Sequence, residues 1–199
     1  HVLKVLDRTH RAGRALDAVR EAQQAGFDNL NIDLIFGTPG ETVEDLRRTL
    51  DDVVCADVQH VSAYALIVEE GTRLARQIQR GEVPSPDDDV QADRYELIDS
   101  VLHDAGYTWY EISNWALPGR ACRHNLVYWH NQPYLGLGPG AHSRFGDYRF
   151  SAVKLPQVYN AWQPGEPQGE GLEAAIRAAS PIDEFSHIDS ETDLMDTLV

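Results

Sequence analysis

Apolar residues recur at helical spacing over residues 12–25, where Ala12, Ala15, Leu16, Val19 and Ala22 share one face and Gly26 stands ready as a C-cap. The period then shortens. In residues 29–36, NLNIDLIF, Leu30, Ile32 and Leu34 alternate with Asn31 and Asp33 before Ile35 and Phe36, which predicts a strand buried on most of its surface. After the turn Gly37-Thr38-Pro39-Gly40, Thr42 and Asp45 form a capping-box pattern and open a helix that buries Leu46, Leu50 and Val53 or Val54. Residues 60–68, HVSAYALIV, predict a second strand, apolar enough for a parallel sheet. A short basic helix follows over 73–80. A longer one, capped by Ser85 with Pro86 in its first position, carries Val90, Tyr95, Leu97, Ile98, Val101 and Leu102 as far as Gly106. Residues 108–113 predict a third strand.

Strands and helices alternating with short connections imply an α/β fold of parallel strands joined by right-handed crossovers. A barrel and an open doubly wound sheet both fit, and three strands are too few to close a barrel. After Arg144 the character changes. Residues 146–152 read as a small hairpin or curled strand, 157–162 as a short helix, 163–171 (QPGEPQGEG) as a linker or exposed loop, and 186–199 as a helix.

Composition narrows the function classes. With 199 residues, 42% apolar and 25% charged, the chain is long enough for one good core. A net charge of −15 argues against a nucleic-acid or anionic-membrane surface, because both require clustered Lys and Arg. No apolar run approaches the roughly 20 residues that span a bilayer. Cys55 and Cys122 make neither a disulfide framework nor a zinc set, which points to a reducing, cytoplasmic compartment. Cys55, between Val54 and Ala56, reads as core. The chain starts at His1, its single Met is Met195, and both ends read as cut from something longer.

Chemistry concentrates in residues 121–143, ACRHNLVYWHNQPYLGLGPGAHS, where Arg123, His124, Asn125, Tyr128, Trp129, His130 and His142 surround Gly136-Leu137-Gly138-Pro139-Gly140. Aromatic and histidine side chains beside glycines suit a flat, partly apolar ligand better than a phosphate, and no GxGxxG or Gly-Lys-Ser/Thr pattern is present. Haem ligation by one of the histidines fits that reading. A buried aromatic loop with satisfied histidines fits it too. The spacing of His124, His130 and His142 matches no standard zinc pattern. Ligands of parallel α/β folds meet the carboxyl ends of strands, which singles out Asp33, Tyr64 and the run Glu111-Ile112-Ser113-Asn114, with Arg8 as a clamp for a carboxylate. Asp33, inside an apolar strand, needs a partner if it is buried.

NIDLIFGTPGET, HVSAYALIVEEGT and YEISNWALPGRACRHNLVYWHNQPYLGLGPGAHS together resemble the radical S-adenosylmethionine family that contains oxygen-independent coproporphyrinogen III oxidase. RHNLVYW, Arg123–Trp129, is similar to the HNxxYW motif of its haem-chaperone branch. The resemblance covers about residues 1–161. It implies part of a (βα) barrel over residues 1–150, a linker region over 151–175, and the start of a truncated C-terminal domain over 176–199. It implies S-adenosylmethionine contacts at Arg8, Asp33 and Tyr64, and haem candidates at His124, Tyr128, Trp129 and His142. It implies haem delivery to recipients such as cytochromes, or, in the oxidase alternative, oxidative decarboxylation of porphyrinogen propionates. The family's CxxxCxxC motif for a [4Fe-4S] cluster is absent, so the cluster ligands are expected outside this chain and the chain alone is expected to be inactive. An unclosed sheet also leaves an edge strand that invites a second copy, a homodimer.

Overall fold

The computed structural model describes residues 2–189, which fall into two compact units, His1–Cys122 and Arg123–Val199. The first contains α1 (Val2–Val5), α2 (Arg14–Gln24), β1 (Asn31–Phe36), α3 (Val43–Cys55), β2 (His60–Ala65), α4 (Arg73–Gln79), α5 (Asp88–Asp104), β3 (Thr108–Glu111) and β4 (Asn114–Ala116). The start of α3 follows from its own residues. Thr42 Oγ1 accepts from the Asp45 backbone N–H at 3.1 Å, while the Asp45 carboxylate accepts from the Thr42 backbone N–H at 3.1 Å. These bonds hold the Asp45 carboxyl below its ordinary pKa. Leu46, Leu50 and Val53 then turn inward together. α5 begins two residues later than Ser85 and Pro86 suggest. Asp87 is its cap, with extended backbone and a side chain that accepts from the Val90 N–H at 3.0 Å.

The sheet order is β1-β2-β4-β3. β1 and β2 are parallel, in the register Asp33↔Ser62 and Ile35↔Tyr64. β4, a strand not expected from the sequence, is antiparallel to both β2 and β3, so the sheet is mixed while β1, β2 and β3 share one direction. β3 keeps the sense of β2, as a helical crossover requires, but lies one place further out. The chain reverses at Ile112–Ser113 and inserts β4 between them, a hairpin that can only be antiparallel. The predicted third strand, 108–113, therefore ends at Glu111, and the second, 60–68, ends at Ala65.

One face of this sheet carries the core. Ile32, Leu34, Phe36, Val61, Ala63 and Trp115 pack with Val19, Leu46, Leu50, Val53, Ile98 and Leu102 from α2, α3 and α5. Each fully buried Leu or Ile contributes roughly 1.5–3 kcal/mol. The other face is polar, so β1 is buried on alternate positions only, and Asp33 is exposed. Cys55 is exposed as well, at the last turn of α3, because the inward positions there belong to Leu50 and Val53.

The second unit contains α6 (Arg123–Trp129), β5 (His142–Phe145), β6 (Tyr148–Ala152), α7 (Pro156–Ala161), α8 (Leu172–Ala179) and β7 (Ile182–His187). Its strands form an antiparallel sheet in the order β5-β6-β7. The hairpin expected near 146–152 is β5–β6, turning at Gly146-Asp147 with Gly146 at φ +57°. Phe150, Ala152, Ile176 and Ile188 are buried, and the Arg177 guanidinium lies 4.0 Å from the Phe185 ring centre. The helix expected over 186–199 is corrected where it can be seen: Ser186 and His187 belong to β7, paired with Arg149 and Tyr148. Residues 190–199 lie outside the described residues.

Candidate functional site

Parallel register places Asn31 and Asp33 of β1, His60, Ser62 and Tyr64 of β2, and Asn114 of β4 on the polar face of the first unit. Asn31, Asp33, His60 and Ser62 are joined by hydrogen bonds, and Asn114 bonds separately to Glu111. His60 is buried, with Nδ1 2.7 Å from Asn31 Oδ1 and Nε2 2.7 Å from Tyr110 Oη. An amide oxygen only accepts, so Nδ1 carries the proton and Nε2 accepts from the Tyr110 hydroxyl. The Asn31 amide N–H₂ then donates to Asp33 Oδ1 at 2.6 Å and to Ser62 Oγ at 3.1 Å. Asn114 Nδ2 donates to Glu111 Oε1, and the Ser113 N–H donates to Glu111 Oε2 at 3.0 Å. The outcome is an exposed carboxylate, Asp33, linked to a buried, neutral imidazole through one intervening side chain, Asn31.

Burial pushes the His60 pKa down, against the opposing pull of Glu111 and Asp33. The sign of the consequence is fixed. The unfolded chain takes up a proton below about pH 6.5, before the folded chain does. The contribution of His60 is therefore complete above that value and lost as pH falls from there through its lowered folded value. The unfolding free energy from urea denaturation should fall as pH falls through that window by at most about 1.4 kcal/mol per pH unit from this group, and His60→Gln should flatten the slope. An unchanged slope in that variant would remove His60 as the cause.

Tyr64 stands exposed on the same face, diagonal to Asp33. Arg8 follows α1, exposed, and lines a cavity of ≈ 460 Å³ with Ile35, Leu66, Ile67 and Val68 beyond the carboxyl ends of β1 and β2. Asp33 and Tyr64 are not part of that cavity's lining, while Ile35, the register partner of Tyr64, is. His60, Tyr110, Asn31 and Ser62 were not singled out by motif. Their signal was the period-two polar alternation of N-x-D and H-x-S-x-Y read through a parallel register.

In the second unit, RHNLVYW forms α6 itself and is not loop. His124 and Tyr128, four apart, share one face, and their side chains bond at 3.0 Å (Nε2···Oη) with rings 5.0 Å apart and perpendicular. The Tyr128 ring meets Tyr134 edge to face at 4.5 Å. Burial raises the Tyr134 pKa, and Tyr134 is fixed through two backbone bonds with Arg144, at 2.8 and 2.9 Å. Tyr128 is 43% exposed and Trp129 39%. His142 is exposed at the start of β5, opposite Ser151. The neighbouring glycines serve the backbone. Gly138 and Gly140 have φ +107° and +71°, and Gly136 lies against the His142 carbonyl.

Among the described residues no three His, Cys, Asp or Glu side chains gather as a metal-ligand set, and Cys55 and Cys122 are both free and exposed. The donors present do not fit a [4Fe-4S] cluster. No helix among the described residues is long and apolar enough to cross a membrane.

No family model matches the chain. Individual proteins do. It is 56% identical over 158 residues to the heme chaperone HemW of Mycobacterium tuberculosis (strain ATCC 25618 / H37Rv), covering 79% of this chain and 40% of that one. It is 38% identical over 165 residues to the heme chaperone HemW of Lactococcus lactis subsp. lactis (strain IL1403), covering 83% and 44%. The fold matches coproporphyrinogen III oxidase (HemN) from Escherichia coli, a radical SAM enzyme, with a TM-score of 0.72 at 18% identity, over 100% of this chain and 46% of that one. The chain thus spans about two fifths of the length of the HemW relatives it matches. Over that span, the chain is similar to HemW heme chaperones and shares the fold of the radical SAM enzyme HemN.

Proposed function

We propose that this chain is part of a haem-trafficking protein built on a radical SAM scaffold, which binds haem on α6 and passes it to haem proteins such as cytochromes in the cytoplasm. The observation that carries this reading is 56% identity to a protein named as a heme chaperone, across a span that includes His124, Tyr128 and Trp129, all exposed on α6. Exposed aromatics and a histidine on one short helix suit a flat, partly apolar macrocycle with an iron centre. His142 is the second histidine candidate. The oxidase alternative rests on fold likeness at 18% identity, which supports architecture and no particular chemistry.

S-adenosylmethionine suits the first unit. An exposed carboxylate, Asp33, offers an acceptor for a hydroxyl or amine, and Arg8 offers a partner for the methionine carboxylate. Tyr64 offers an aromatic surface, and Ile35, Leu66 and Ile67 give the adjoining cavity an apolar wall. When bound, S-adenosylmethionine supplies a sulfonium centre for radical chemistry, for which the iron–sulfur ligands lie outside this chain. A homodimer would use the edges of the four-stranded sheet, β1 and β3.

Ferric haem titrated into the purified chain and followed by absorbance tests the reading, beside the double variant His124→Ala/Tyr128→Phe. A saturable, stoichiometric spectrum in the wild type that is lost in the variant is expected. Equal and unsaturable binding by both would sink it.

A further inference from the structure

The hydrogen bond between His124 and Tyr128 bears on which atom meets the iron. We infer that the phenol oxygen of Tyr128 is the iron ligand for ferric haem, with His124 as the base that receives its proton. The inference rests on the haem reading above and assigns the roles within it.

His124 Nε2, the imidazole nitrogen furthest from the backbone, is already engaged, 3.0 Å from Tyr128 Oη. With the ring proton on Nδ1, Tyr128 donates its hydroxyl proton to Nε2. Iron binding at Nε2 would have to break this bond and displace Tyr128. Iron binding at Oη keeps it. The phenol oxygen retains lone pairs beyond the one shared contact, and 43% of Tyr128 remains open to solvent. The ring also packs in a T-shaped contact with Tyr134, centroids 4.5 Å apart, itself anchored to Arg144 by paired backbone bonds. Tyr128 is therefore oriented by two neighbours before any ligand arrives.

The chemistry favours the same atom. Phenolate oxygen is a hard anionic donor that matches ferric iron, as in tyrosine-ligated haem proteins. A neutral phenol is a poor ligand, so a proton acceptor in reach favours ligation, and without one the proton passes to solvent. On binding, the Tyr128 O–H bond breaks, the Oη–Fe bond forms, and the proton crosses the existing hydrogen bond to His124 Nε2. Iron stays ferric throughout, and the Tyr128–His124 pair keeps its net charge. The resulting imidazolium donates back to the iron-bound oxygen.

The test is ferric haem bound to the purified chain, read by visible absorption and resonance Raman, with Tyr128→Phe, His124→Ala and His130→Ala in parallel. The wild type should show phenolate-to-iron charge transfer and phenolate ring modes. Tyr128→Phe should abolish both and weaken binding about tenfold or more. His124→Ala should keep the phenolate modes and weaken binding by roughly three- to tenfold, the worth of one hydrogen bond. His130→Ala, a change just past α6 that spares the pair, should match the wild type. A wild-type spectrum of imidazole-ligated haem, persisting in Tyr128→Phe and lost in His124→Ala, would overturn the ligand assignment and leave the haem reading standing. No saturable binding by the wild type would overturn both. The wild-type Raman spectrum decides the ligand even where a variant fails to fold.

Discussion

Trp115→Ala should cost the first unit about 3–5 kcal/mol, the range for truncating a large buried aromatic. Trp115 is fully buried, 0% exposed, in the middle strand of the β2–β4–β3 group. Its ring centre lies 5.5 Å from that of Tyr95 on α5, and its indole N–H donates to Asp99 Oδ1 at 2.8 Å. Truncation removes the packing that joins α5 to the sheet and strands a half-buried carboxylate oxygen. Domains of this kind are stable by about 5–15 kcal/mol, so a loss of that size brings the unit close to unfolding. Urea denaturation followed by far-ultraviolet circular dichroism measures it. Trp115→Phe separates the contributions, because it keeps most of the apolar surface and loses only the bond to Asp99. It should cost about 1–2 kcal/mol. If alanine cost less than about 1 kcal/mol, the ring would not be the anchor described here.

What the sequence made legible follows the range of the interactions involved. The start of α3 was readable because Thr42 and Asp45 bond each other across three residues. The start of α5 was misplaced by two residues, because Ser85-Pro86 imitates a cap and the bond that decides is Asp87 to Val90. β4 was missed for a different reason. Three residues, Asn114–Ala116, are too short for a period, and the reversal at Ile112–Ser113 uses no glycine. Its place between β2 and β3 is set by pairing over some fifty residues of sequence, which local pattern does not encode. The polar face was half-visible: Asp33 was found, but whether it is buried was left open. The burial pattern shows that β1 turns Asn31 and Asp33 toward the open face, and the register sets Asp33 beside Ser62. RHNLVYW was recognised as a motif and not as a helix, because the glycine-rich run after it dominates the local composition. The His124–Tyr128 bond becomes apparent once residues four apart are stacked.

The glycine run is where the sequence reading and the structure part most clearly, and Gly136→Ala exposes the difference. The sequence suggests glycines that let a ligand approach. At Gly136 the approaching group is the chain's own backbone: a Cβ there would press into the His142 carbonyl oxygen and sit 2.9 Å from the Ala141 Cβ. Carbonyl oxygens cannot move aside like the end of a flexible side chain, so the loop and the start of β5 must separate. The Gly136 N–H, which donates to the buried Ser143 Oγ at 3.0 Å, moves with them. Overpacking of this kind costs about 1–3 kcal/mol. Ser143→Ala should cost about 1 kcal/mol in the wild-type chain and close to nothing in Gly136→Ala, because both changes remove the same bond. Additive losses would mean the loop absorbs the methyl group without releasing Ser143. Gly138→Ala is the comparison, since Gly138 has φ +107° and open space around its Cα, so its cost is backbone strain alone. Chemical denaturation of these four variants, the double one included, with haem binding measured on each, separates the two roles of the run. A Gly136→Ala chain that keeps wild-type stability and loses haem would make the loop a ligand cradle. A chain that loses stability and binds haem in proportion to the fraction folded would make it the brace that holds the turn between α6 and β5.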